Sequence, residues 1–207
     1  MSNRQFLSLV GGVLILLGIG VVLIWNIAAT LNEMESTPAP VRRVEWSGKA
    51  PAISLEEAAQ QATPRAQMWA PDARLVKVEA SWHPSPEELG LETPPVAWAL
   101  SYYSPSKEAV KTAHVHAESF SWGKSRLMGA EAEALAPFPP PQGIKVAWLS
   151  FRAAGGEEFL VEHPDATVQF LLRNKGKMIW TVLAFTRAGK YEIQVDAHTG
   201  TVLTKES

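Results

Sequence analysis

The residue types best able to do chemistry fall on one short stretch, His114-Val115-His116-Ala117-Glu118. On a strand, residues two apart point to the same side, so His114, His116 and Glu118 would offer two imidazoles and a carboxylate to one face, a donor set suited to zinc or copper. Such a site needs a further ligand from elsewhere, and the sequence points to none. The plainer expectation is that these three are the wet side of a half-exposed strand, with no metal held. The remaining candidates read as structural. Asp196 with Thr199 and Gly200 sets a carboxylate in a turn, where it accepts from backbone amides while glycine enters positive φ without steric cost. His83 and His163 each precede a proline at an element end, and His198 is a turn residue. There is no Gly-x-Ser-x-Gly, no phosphate-cradling glycine loop and no His-Glu-x-x-His, and Gly155-Gly156 lacks the spacing of a nucleotide fingerprint. A non-catalytic chain without a cofactor is expected.

Composition narrows the function classes further. The 207 residues carry a formal charge of −2, which leaves no broad basic field for nucleic acid. Cysteine is absent, removing disulfides, thiolate metal sites, covalent haem attachment and iron–sulfur clusters together. Tryptophan is abundant, with 8 copies, most of them outside the apolar N-terminus, and these must fill a core or an interface. Trp98, Tyr102, Trp122 and Trp180 are the candidates for a partner surface. Alternation of Trp98, Leu100 and Tyr102 on one strand face fits core packing equally well.

The elements that must position these residues begin with an anchor. Phe6 to Trp25 contains no charge, and a helix of that length spans roughly 30 Å, the thickness of a bilayer core. Phe6, Leu16 and Trp25 mark its start, middle and far interface, where an indole is favoured. Apolarity continues to Leu31, and Ala28-Ala29-Thr30 is a weak cleavage signal, so an uncleaved anchor is expected over residues 1–32 with its short tail. Arg4 on one side faces Arg42 and Arg43 on the other, so charge counting alone does not orient it. A short tail before a long body is the layout of a signal anchor. The expectation is a single-pass protein of the cytoplasmic (inner) membrane with an extracytoplasmic C-terminal body. Residues 33–51, with Pro38, Pro40 and Pro51, form a stiffened tether.

The body reads as two copies of one unit, over 52–128 and 144–207. In the first, Ser54 and Glu57 make a capping box ahead of a helix from Leu55 to about Trp69, in which Pro64 is a bend or interruption. Strands follow at Arg74–Ala80, Pro95–Tyr103 and Ala113–Ser119. Downstream, Leu149-Ser150-Phe151 echoes Ile53-Ser54-Leu55, Pro164-Asp165-Ala166 echoes Pro71-Asp72-Ala73, Trp180 echoes Trp98, and Ile193-Gln194-Val195-Asp196 echoes Val115-His116-Ala117-Glu118. Residues 174–177 should form a tight hairpin turn. Between the copies, 129–143 is an Ala/Pro-rich linker whose proline run should be an extended, semi-rigid spacer.

The most characteristic stretch is Tyr191 to Leu203. Ile193, Val195 and Ala197 alternate with Glu192, Gln194 and Asp196, and His198-Thr199-Gly200 turns the chain toward Val202-Leu203. This resembles the closing strand of the PepSY domain family. The resemblance implies an α+β fold of two PepSY-like units, each one helix packed on a three-stranded antiparallel sheet. It also implies an extracytoplasmic module that binds protein, acting as a regulator, an inhibitor or an assembly factor for a partner in the membrane or envelope. Two alternatives stand beside it, an accessory subunit of a respiratory or transport complex, and a periplasmic metal-binding module built on His114 and His116.

Overall fold

The computed structural model describes residues 53–128 and 133–206. The expected anchor over 6–25 and the tether over 33–51 lie outside the described residues. Among those described, no helix is long and apolar enough to cross a membrane.

Helix α1 spans Leu55–Trp69. Its start is fixed locally: the Glu57 amide donates to Ser54 Oγ at 3.1 Å while the Ser54 amide donates to Glu57 Oε2 at 3.0 Å. Pro64 sits inside the helix without ending it, at the cost of one backbone hydrogen bond. Ala58, Ala62 and Ala66 are wholly buried, and their small side chains let the helix lie close on the strands beneath.

Those strands are β1 (Arg74–Trp82), β2 (Ala97–Ser104), β3 (Ala109–Val115), β4 (Phe120–Trp122) and β5 (Arg126–Leu127). After the second helical segment come β6 (Thr167–Asn174), β7 (Met178–Phe185), β8 (Lys190–Asp196) and β9 (Val202–Glu206). All nine belong to one sheet in the order β4-β3-β2-β1-β6-β7-β8-β9, with β5 also pairing with β3. The expectation of two units, each one helix on a three-stranded sheet, is therefore corrected. β1 and β6 pair antiparallel from Lys77 opposite Arg173 to Trp82 opposite Val168, so the strands of both sequence halves belong to one continuous ladder. A lone three-stranded sheet with one helix buries too little apolar surface to stand well in water, and fusing the edges removes two exposed strand borders at once.

The register makes one face of that sheet continuously apolar. Val78 lies between Leu100 and Leu172, Ala80 between Trp98 and Phe170, and Val182 between Phe170 and Ile193. All of these are buried. The expected echoes are also corrected. Ser150 lies inside helix α2 (Ile144–Phe151) and caps nothing. Val115 pairs with Trp98 as Val195 pairs with Trp180, which shifts the expected correspondence of the third strands by two residues.

Helix α2 is continued by a wider turn over Arg152–Gly156 and then by α3 (Glu157–Glu162). Gly155 has φ 107°, a conformation that side-chain-bearing residues rarely adopt. The Tyr191 hydroxyl donates to the carbonyl of neighbouring Ala154. Trp148 and Phe151, both wholly buried, carry α2 onto the same apolar face that α1 covers.

The linker is no free spacer. The Leu135 amide donates to the Leu75 carbonyl at 2.8 Å, and Asn174 Nδ2 donates to the Ala134 carbonyl at 3.0 Å. Further on, the Gln142 amide donates to the Ala197 carbonyl at 2.9 Å and Trp180 Nε1 to the Gln142 carbonyl at 2.9 Å. Leu135 and Pro140 are buried. An extended chain leaves its amides and carbonyls unpaired, and here the strand ends at Leu75, Asn174 and Ala197 satisfy some of them.

Candidate functional site

The metal constellation of the sequence does not assemble. β3 ends at Val115, so only His114 of the three lies on the strand. Ala117 and Glu118 form a bend, across which the His116 amide donates to the Ser119 carbonyl at 2.9 Å, and the chain reverses into β4. The same-face geometry required of His114, His116 and Glu118 is lost with that reversal. Among the described residues no group of three or more His, Cys, Asp or Glu is placed to hold a metal.

The other singled-out polar residues have structural duties. Asp196 Oδ1 accepts from the His198 amide at 2.8 Å and the Thr199 amide at 3.0 Å. These bonds, with Lys177 nearby, hold its carboxyl below the ordinary range. His83 Nε2 meets Thr167 Oγ1 at 3.0 Å, and the His163 ring lies 4.5 Å from that of Phe159.

The expected partner surface is corrected for three of its four members. Trp98, Tyr102 and Trp180 are buried, at 2%, 1% and 0% exposure. Each indole or phenol spends its polar atom inward: Trp98 Nε1 donates to the Ile53 carbonyl at 2.8 Å, Trp180 Nε1 to Gln142, and Tyr102 Oη shares a hydrogen bond with Thr63 at 3.0 Å. Burial holds the Tyr102 hydroxyl above its usual value. Strand alternation put these rings on one face, but only the helices above it decide that the face is dry. Trp122, on the short β4, remains half-exposed.

Among the described residues, no helix covers the opposite face of the sheet. A row crosses it from His114 through Ala99 and Glu79 to Leu171, Thr181, Gln194 and Thr204, each paired to the next. Lys77 and Glu79 form an ion pair there at 2.8 Å. Leu171, with Ile179 and Leu183 on the neighbouring strand, makes an apolar group of half-exposed side chains. Sequence reasoning missed this group, although a signal was present. Met178-Ile179-Trp180-Thr181-Val182-Leu183-Ala184-Phe185 is a nearly unbroken apolar run, which is how strands apolar on both faces read, in contrast to the strict alternation of a half-solvated strand. His114 stands at the other end of the row. Burial first, and then the neighbouring His116, hold its ring below the ordinary histidine value, against the opposing pull of Glu79.

Two of the hollows in the surface lie elsewhere. One, of about 200 Å³, is apolar and lies among Pro84, Pro86, Leu89, Leu160, Val161 and Pro164. The other is open and polar, beside Glu57, Gln60 and Gln61. Neither gathers a nucleophile with a base.

No protein-family model matches the chain, and no curated protein matches it. One solved structure is similar to it, a protein from Clostridium difficile 630 described as "a putative lipoprotein". The two share 15% identity over 78% of this chain and 95% of that one, with a TM-score of 0.42.

Proposed function

We propose that this chain is a membrane-anchored, extracytoplasmic, non-catalytic binding module that holds a protein partner against the uncovered face of its sheet. The observation that carries the reading is the mismatch on β7. Its outward residues Ile179 and Leu183 are as apolar as its inward ones, yet both helical segments lie on the inward side. Apolar surface of this kind, rimmed by Glu192, Gln194 and Arg173, is what a protein partner desolvates on binding. The uncharged stretch from Phe6 to Trp25 supports the membrane tether. The resemblance of Tyr191–Leu203 to the PepSY closing strand supports a regulatory or assembly role.

Photo-crosslinking in native membranes tests the reading. A photoreactive residue at Leu171 or Leu183 of the full chain should give a discrete heavier adduct, and one at Gln67 on the solvent side of α1 should not. Absence of adducts from both sheet positions, with the chain present and folded, would remove it.

A further inference from the structure

A second surface, at the β4–β5 edge on the helix side of the sheet, has a different chemistry. Lys111 lies 4.8 Å from the Trp122 ring centre and 5.8 Å from that of Trp69. Lys107 also sits over Trp69, at 5.9 Å, and the Arg65 guanidinium covers Phe120 at 4.1 Å. Register places these groups on one side. Lys111 is opposite Tyr102, Trp122 opposite Ala113, and Leu127 opposite Ala109, all on the face that α1 covers. Leu127 on β5 has 88% of its surface exposed, and Met68, next to Trp69 in the last turn of α1, has 80%.

The charges here are unneutralised. Lys77, Lys145, Arg152, Lys177 and Lys190 each pair with a carboxylate. Among the described residues no such pair is made by Arg65, Lys107 or Lys111, whose positive charges rest on aromatic rings. Of the nearby acids, Asp72 is committed to Ser104 and Ser106, and Glu108 and Glu118, which also flank this edge, make no ion pair with these three cations among the described residues.

We infer that this edge is a docking surface for an anionic lipid bilayer. Cations attract acidic headgroups, half-exposed indoles prefer the interface, and protruding Leu127 and Met68 enter the acyl boundary. The shape favours lipid over protein. Leu127 and Met68 stand out from the surface, and a bilayer accepts such projections without a complementary mould, whereas a protein partner would have to supply a matching pocket for each. The inference deepens the membrane-anchored reading and leaves the opposite sheet face free for a partner.

The chain lacks cysteine, so Leu127→Cys carries a single environment-sensitive fluorophore. Full-length chain is floated with phosphatidylglycerol or phosphatidylcholine vesicles, and a Thr204→Cys label on the other face serves as reference. The Leu127 label should shift to shorter wavelength on phosphatidylglycerol alone. Arg65→Glu with Lys107→Glu, both exposed, should raise the lipid needed by at least about twentyfold, at about fivefold per cation removed; near-ultraviolet circular dichroism checks that this variant is folded. No shift on either lipid, an equal shift on both, or an equal shift of the Thr204 label would overturn the inference. A label silent on lipid but responsive to polyglutamate would also overturn it, in favour of an acidic polypeptide. Flotation separates the two readings. A chain that floats with both lipids without a Leu127 shift keeps its anchor and loses this surface, and one that floats only with phosphatidylglycerol, with the shift, does the reverse.

Discussion

The indole of Trp148 meets that of Trp82 edge-on, with ring centres 5.2 Å apart and planes inclined at 72°. Trp148 belongs to the second helical segment and Trp82 to the last position of β1, so the contact joins the sequence halves above the β1–β6 ladder. Its Nε1 donates to the Leu91 carbonyl at 2.8 Å, which ties the long β1–β2 connection to the same ring.

Trp148→Ala should therefore destabilise the whole body. A wholly buried tryptophan replaced by alanine costs about 3–5 kcal/mol. Urea unfolding followed by circular dichroism should show one transition at a lower midpoint. Two transitions, with the half containing α1 unaffected, would contradict the shared core.

Gly156→Ala tests the turn between α2 and α3. A Cβ there would come within 2.2 Å of the Phe151 ring, and Phe151 is wholly buried, so the ring cannot swing into solvent and has to displace packed neighbours. Overpacking of this kind costs about 1–3 kcal/mol. The melting temperature should fall, and Phe151→Leu in the same chain should recover part of the loss.

The Asp72 carboxylate accepts from the Ser104 hydroxyl and the Ser106 amide, each at 2.7 Å, and these bonds lower its pKa. The folded carboxyl thus binds its proton less tightly than the unfolded one, whose value is about 3.9. Its contribution to stability is present above that value and disappears as pH falls through the depressed one. Asp72→Asn should lower the unfolding midpoint at pH 7, and the gap between variant and parent should close in strong acid. A gap that persists unchanged at the acid limit would show that the bonds do not depend on the charge.

His114 should titrate below the ordinary histidine value of 6.5, because burial penalises its charged form. The neutral ring is favoured by the fold, so its contribution is present above 6.5 and lost as pH falls through the depressed value. Proton NMR of the folded chain should find the His114 ring titrating at lower pH than the same ring in the urea-unfolded chain. A His114 titration at or above the unfolded value would place the ring in water.

Local chemistry was legible in the sequence and long-range pairing was not. Ser54 and Glu57 announce α1 because a capping box is complete within four residues, and Asp196 with Thr199 announces its turn for the same reason. The end of β3 was hidden, since Ala117 and Ser119 continue a strand-like alternation and no glycine or proline marks the bend. Joining of β1 to β6 was hidden too. Lys77-Val78-Glu79-Ala80 alternates just as an outer strand would, and nothing local in it states that Leu171 and Phe170 will lie alongside. Burial of Trp98 against half-exposure of Trp122 followed from the placement of α1, a tertiary fact that the strand pattern does not encode.

The ladder between β1 and β6 also bears on how this body can be inherited or divided. Each half alone would bare a central strand with its amides and carbonyls unsatisfied, so neither is a shufflable unit in the way that a repeat bead is. Two fragments cut between Leu127 and Leu135 and made in one cell should reassemble along Lys77–Trp82 and Val168–Arg173, whereas either made alone should stack with copies of itself.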